Sequence, residues 1–185
     1  MTTGPTTIRP EEDAYAGLMP TAVWRHFAAL NRIPRPSGQE AAARFYVQRV
    51  ADAAGYPWKT DARGNIVVYV PGRAVGAGAP ALAVQAHLDM VCEKRPEVVF
   101  DFTKEAIRAV RRGDRIYADG TTLGADNGIG AAMALALIDD ADVAASAHGP
   151  LELIFTVEEE TGLLGAQALD TSALPLQSRD RKSVV

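Results

Sequence analysis

The chain has 185 residues, of which 48% are hydrophobic and 23% are charged, and its formal net charge is −4. This length and composition are typical of about one globular domain and exclude a disordered or fibrous chain. The weakly acidic balance is atypical of a nucleic-acid-binding protein, and the apolar runs are too short for a transmembrane helix, so neither nucleic acid nor membrane is expected as a partner.

The first half of the chain begins with two predicted helices. Apolar residues at helical spacing over residues 21–31 predict the first helix, which two prolines then end. Ser37 and Glu40 have the spacing of a capping box, which predicts the start of a second helix that stops at Gly55.

Strands and further helices follow along the chain. An apolar, alanine-rich run predicts a buried helix over residues 126–138, and a shorter helix is predicted over 162–169. The predicted strands cover residues 58–60, 66–70, 81–85, 107–110, 115–117 and 151–157. The last of these is continuously apolar, as expected for a strand that is covered on both faces. This alternation predicts an α/β fold in which helices flank a mixed sheet.

Polar clusters lie at the ends of several apolar elements. His87 and Asp89 follow one predicted strand, Asp126 opens the alanine-rich helix, and Glu159 and Glu160 follow the last strand. Ligands bind beyond the carboxyl ends of strands in open α/β sheets, so these side chains are expected to meet in one cleft.

Histidine nitrogen and carboxylate oxygen together form a ligand set for Zn²⁺ or Mn²⁺, and an aspartate can bridge two ions. Such a pair of metals supports aminopeptidase-type hydrolysis. Each cluster also has a simpler interpretation: a structural His–Asp pair, a tight glycine turn, or an acidic run that is only solvated. The residue types alone leave these alternatives open.

The wording of these clusters resembles a known family. The segments VQAHLDMVCEK (84–94), ADGTTLGADNGIG (118–130) and HGPLELIFTVEEETG (148–162) resemble the bacterial aminoacyl-histidine dipeptidases, also called Xaa-His or cytosolic non-specific dipeptidases. These are two-zinc exopeptidases, and the resemblance covers roughly residues 20–174.

The resemblance implies a role for each matching residue. His87 would ligate one metal, Asp126 would bridge both, and Glu160 would ligate the other. Glu159 would be the general base, and Asp89 would orient the His87 ring. Two Zn²⁺ are the implied cofactors of a complete site, with Co²⁺ or Mn²⁺ as substitutes, and no other cofactor is implied.

The resemblance also suggests how the chain is organised. Residues 1–18 are predicted to be a loose arm, 19–174 the N-terminal part of an incomplete zinc-exopeptidase catalytic domain, and 175–185 a tail outside the family pattern. A further Asp ligand, a lid domain and a last His ligand of the family are not recognised here. A homodimer is therefore expected only for a chain with the lid domain.

The function implied is metal-dependent hydrolysis of small peptides, Xaa-His dipeptides included, in the cytoplasm. The absence of a secretory signal pattern and the single cysteine favour that compartment. The alternative is a non-catalytic fragment that binds metal weakly. A nucleotide-binding protein is a third possibility, but the chain shows no phosphate-binding loop.

Overall fold

A computed structural model describes residues 14–178, and the fold is given for these residues. Helices α1 to α5 and strands β1 to β6 alternate along the chain, with a short 3₁₀ turn at Ala74–Gly76. The helices are α1 (Thr21–Asn31), α2 (Ala41–Ala54), α3 (Ala125–Asp139), α4 (Ala141–Ala145) and α5 (Leu164–Gln167). The strands are β1 (Trp58–Thr60), β2 (Ile66–Val70), β3 (Leu82–His87), β4 (Ala109–Arg112), β5 (Arg115–Ala118) and β6 (Leu151–Thr156).

The main sheet is mixed, with the strand order β1-β2-β6-β3. Strand β2 pairs antiparallel with both β1 and β6, whereas β3 and β6 run parallel. Strands β4 and β5 form a separate antiparallel hairpin. The predicted mixed sheet is confirmed, and the parallel β3–β6 pair brings two carboxyl ends to the same edge.

Three helices cover one face of this sheet. Helix α2 buries Ala43, Val47 and Ala51, which recur every four residues, and it ends at Gly55, whose positive φ of 73° is accessible without strain only to glycine. The small buried side chains of α3, among them Ala131 and Ala132, pack into the same core as α1, α2 and the strands. The opposite face carries a smaller cluster of Val67, Ile154 and Leu174.

Strand β6 is buried on both faces, as its continuous apolar sequence predicts, with only Leu151 partly exposed. Helix α1 and strands β1 and β2 begin and end at the predicted residues. Strand β3 extends past the predicted end at residue 85 to include His87, which pairs with Thr156 of β6. No described helix combines the length and the apolar character that a bilayer crossing requires.

The predicted capping box is wrong. Helix α2 begins at Ala41, and no side chain caps its first turn. The Ser37 hydroxyl donates instead to Asp89 Oδ2 at 2.7 Å, and Glu40 Oε1 accepts from the backbone N–H groups of Gly38 and Glu158 at 2.8 and 2.9 Å. Distant partners outcompete the local cap for both side chains.

The proposed domain limits at residues 18 and 174 stay predictions. Most of the predicted arm, residues 1–13, and the end of the tail, residues 179–185, lie outside the described residues. Within the described part, Tyr15 packs against the rings of Trp24 and Phe27. The backbone N–H groups of residues 177 and 178 donate to the carboxylate of Glu152.

Candidate metal centre

The polar clusters converge at one end of the sheet. His87 is the last residue of β3, Glu159 and Glu160 follow the parallel neighbour β6, and Asp126 lies in the first turn of α3. The parallel pairing places the ends of β3 and β6 side by side, so side chains far apart in sequence become neighbours.

The His87 ring is buried and held at both nitrogens. Its Nδ1 lies 3.1 Å from the backbone carbonyl oxygen of Asp89 and 3.3 Å from Asp89 Oδ1. Its Nε2 lies 3.1 Å from Asp126 Oδ1 and 3.7 Å from Glu159 Oε2. The Asp89 contacts fix the ring so that Nε2 faces the acidic side chains.

Asp89 is fully buried and ties two loops together. Its carboxylate accepts from the backbone N–H groups of Glu159 and Glu160 at 3.0 and 3.1 Å, in addition to the Ser37 hydroxyl. Burial alone would raise the pKa of Asp89, but its hydrogen bonds, from His87 and Ser37 above all, hold that pKa far below the ordinary value. Asp89 is therefore a charged anchor beneath the acidic loop.

Potential ligand atoms of His87, Asp126 and Glu160 all lie within 4.8 Å of one another. The Asp126 side chain is 84% exposed, so this group of atoms opens to solvent on one side while His87 closes it on the other. Burial, followed by the nearby charges of Asp126, Glu159 and Asp89, raises the pKa of Glu160, although His87 opposes the shift. Negative charge is thus concentrated around a single imidazole.

The electrostatics of His87 reflect the same crowding of carboxylates. Burial on its own would lower the pKa of His87. Hydrogen bonds to Asp89 and Asp126, with the charges of Asp89 and Glu159, outweigh burial and raise it. These carboxylates stabilise positive charge at the position of Nε2.

The donor set fits a divalent cation. One imidazole nitrogen and several carboxylate oxygens suit Zn²⁺ or Mn²⁺. The second nitrogen of His87 faces a carbonyl and a carboxylate, as is usual for a metal-bound histidine. A cation between His87, Asp126 and Glu160 would also offset the repulsion between the acids.

The acidic loop after β6 is irregular, which lets adjacent glutamates point in different directions. Glu158 has a positive φ of 53°, and its side chain forms an ion pair with Arg63. A regular strand would send the side chains of Glu159 and Glu160 to opposite faces of the sheet. Here both approach His87: Glu159 within 3.7 Å, and Glu160 in the group of ligand atoms.

The sequence gave no warning of the segment that supports the site from below. Arg35, Ser37 and Glu40, all in the connection between α1 and α2, contact the loops that carry the five predicted site residues. Ser37 and Glu40 were visible as polar residues but suggested a local cap, and Arg35 lies between two prolines with no periodic neighbours. Burial is what reveals them, since Arg35 is only 2% exposed.

Arg35 carries its charge into the interior beneath the site. Burial lowers the pKa of Arg35 to about 10, and the nearby Asp89 carboxylate partly opposes that shift. The guanidinium therefore stays protonated at neutral pH, where it balances part of the negative charge above it.

Comparison with known proteins places this geometry in context. Residues 83–181 match the model of Peptidase family M20/M25/M40. The cytosol non-specific dipeptidase of Escherichia coli (strain K12) is 42% identical over 152 residues, which is 82% of this chain and 31% of that protein. The chain thus spans about a third of the length of this curated relative.

Solved structures give a similar result. The aminoacylhistidine dipeptidase of Vibrio alginolyticus superposes with a TM-score of 0.81 at 34% identity, over 86% of this chain and 32% of that one. A tripeptidase of Staphylococcus aureus superposes with a TM-score of 0.68 at 25% identity, over 82% of this chain and 40% of that one. The fold predicted from the sequence is confirmed by these similarities, and the incomplete coverage agrees with a partial catalytic domain.

Proposed function

Because the chain belongs to Peptidase family M20/M25/M40, we propose that it contributes the metal-binding end of a catalytic site that hydrolyses small peptides with a free N-terminus. Xaa-His dipeptides are the proposed substrates, within a broad specificity. The printed names of the relatives support this choice, because one is a non-specific dipeptidase and another an aminoacylhistidine dipeptidase.

The observation that carries the proposal is the convergence of His87, Asp126 and Glu160 within 4.8 Å. We assign His87 to one metal, Glu160 to the other, and Asp126 to a bridging position. Zn²⁺ is the proposed metal, and Co²⁺ or Mn²⁺ would accept the same donors. Bound metal would supply Lewis-acid polarisation and a lowered pKa for water.

The remaining steps belong to residues of the chain. Glu159 is the proposed general base, which takes a proton from the attacking water and passes it to the leaving amine nitrogen. Its backbone N–H is bonded to Asp89, so the loop that carries the base is fixed to the residue that orients His87. One anchor thereby aligns the base with the proposed metal ligand.

The activity, substrates and partners of a whole protein of this family extend beyond what one third of its length carries. A cytoplasmic location and a homodimer that depends on a lid domain are part of the same proposal. The alternative, a fragment that binds metal weakly and has no turnover, makes a different prediction for the same assay.

The test measures zinc content and dipeptide hydrolysis of this chain, of the variant Glu159→Gln, and of Glu97→Gln as an exposed control. We expect stoichiometric zinc in all three proteins, with hydrolysis at least ~100-fold slower in Glu159→Gln alone. Zinc without turnover in the unaltered chain would support the fragment alternative. Equal turnover in Glu159→Gln would refute the general base, and absence of zinc would refute the metal centre.

A further inference from the structure

Arg35 is the largest fully buried side chain in the described part of the protein, and its polar contacts are main-chain carbonyls. Its Nη1 donates to the carbonyl oxygens of Leu88 and Asp89 at 3.0 and 3.1 Å, and its Nη2 donates to that of Gly124 at 2.6 Å. One guanidinium therefore joins the segment after β3 to the turn before α3.

Two glycines show how closely this turn packs against the guanidinium. A Cβ atom at Gly124 would lie 2.5 Å from Arg35 Nη2, and one at Gly128 would lie 2.6 Å from the same atom. These glycines lie on either side of Asp126 in the sequence, so the backbone that carries Asp126 rests on Arg35 at both ends.

The contacts of Arg35 lead to both halves of the candidate centre. The Asp89 carbonyl that accepts from Nη1 is also the one that lies 3.1 Å from His87 Nδ1. The Gly124 carbonyl belongs to the residue two positions before Asp126. A guanidinium can do this because its planar fork donates in two directions at once, whereas a lysine ammonium presents a compact point charge.

We propose that Arg35 is a positioning residue that sets the distance between His87 and Asp126, 3.1 Å from Nε2 to Oδ1. Its consequence for metal binding rests on the function proposed above, but the geometric claim does not. Arg35 touches neither reacting atoms nor a ligand atom, and it acts through the backbone of the two loops. A merely structural role would stabilise the fold without tuning this distance.

The test replaces Arg35 with lysine and uses Arg32→Lys, an exposed residue of the same segment, as the matched control. Zn²⁺ affinity is measured by competition with a chromophoric chelator, and the visible spectrum of the Co²⁺-loaded protein reports coordination geometry. We expect Arg35→Lys to unfold cooperatively, to bind Zn²⁺ roughly 10–100-fold more weakly, and to show an altered Co²⁺ spectrum. The Arg32→Lys protein should match the unaltered chain. Unchanged affinity and spectrum in Arg35→Lys would overturn the proposal.

A second variant, Gly128→Ala, approaches the same contact from the other side and keeps Arg35 in place. Its methyl group would press on Nη2, so we expect a similar loss of affinity that becomes smaller in the Arg35→Lys background, where Nη2 is absent. Equal losses in both backgrounds would contradict the proposed contact.

Crystal structures of the metal-free proteins separate this proposal from the proposed function. If the unaltered chain binds no metal, the function fails, but the His87–Asp126 distance can still be measured. A longer distance in Arg35→Lys or in Gly128→Ala would support the positioning role, and an unchanged distance in both would overturn it.

Discussion

Replacement of Asp89 by asparagine should destabilise the metal-free protein strongly, although the two side chains have nearly the same shape. Both carboxylate oxygens accept hydrogen bonds: Oδ1 from the backbone N–H of Glu159, and Oδ2 from the backbone N–H of Glu160 and the Ser37 hydroxyl. An asparagine amide keeps one acceptor and turns an N–H donor toward the other backbone N–H, whichever way it is flipped.

The magnitude follows from these contacts. The substitution removes at least one hydrogen bond to a charged acceptor, worth about 1.5–3 kcal/mol, and leaves a buried donor unsatisfied at about 1–3 kcal/mol. We therefore expect the free energy of unfolding to fall by roughly 3–5 kcal/mol. Ser37→Ala, which removes one neutral donor and keeps the carboxylate, should cost about 1 kcal/mol.

The assay is urea unfolding at neutral pH in the presence of a metal chelator, so that any loss of bound metal does not contribute. The control is Asp119→Asn, because Asp119 is 41% exposed and its nearest guanidinium nitrogen, on Arg108, lies 3.7 Å away. That variant should stay within about 1 kcal/mol of the unaltered chain. A loss below about 1 kcal/mol for Asp89→Asn would refute the anchor role of Asp89.

Two further predictions concern regions away from the ligands. A methyl group at Gly165 would overlap the carbonyl oxygen of Val157, so Gly165→Ala should lower the free energy of unfolding by at least ~2 kcal/mol. Gly78→Ala, with open space around its Cβ, is the control, and equal urea midpoints for the two variants would contradict the packing argument. Burial lowers the pKa of His26 below its ordinary value of 6.5 despite a hydrogen bond to Asp139, so the unfolded chain binds the proton more readily. The folded protein should then lose stability as the pH falls below roughly 6.5, and His26→Gln should reduce that loss in urea titrations at roughly pH 7.5 and 5.5. An identical loss in both proteins would exclude His26 as its source.

Local sequence patterns predicted much of the fold because apolar periodicity reports burial directly. The limits of α1, β1 and β2 agree with the structure. Strand β3 continues to His87 because its backbone pairs with β6 as far as Thr156, and main-chain pairing does not require an apolar side chain. Hydrophobicity therefore marks where a strand is buried better than where it ends.

The candidate site was predictable only in part. His87, Asp126 and Glu160 follow apolar elements and so could be named, but their convergence depends on β3 and β6 being parallel neighbours, which strand patterns do not specify. Arg35 shows the remaining gap. Its acceptors lie 53 to 89 residues away in sequence, and no local pattern identifies such partners.

The central claim is that His87, Asp126 and Glu160 hold a divalent metal, and calorimetric titration of the chelator-treated chain with Zn²⁺ tests it most directly. The account predicts saturable binding that weakens at least ~10-fold in Asp126→Asn and disappears when all three side chains are replaced. Equal Zn²⁺ affinity in the unaltered chain and in the triple variant would contradict it.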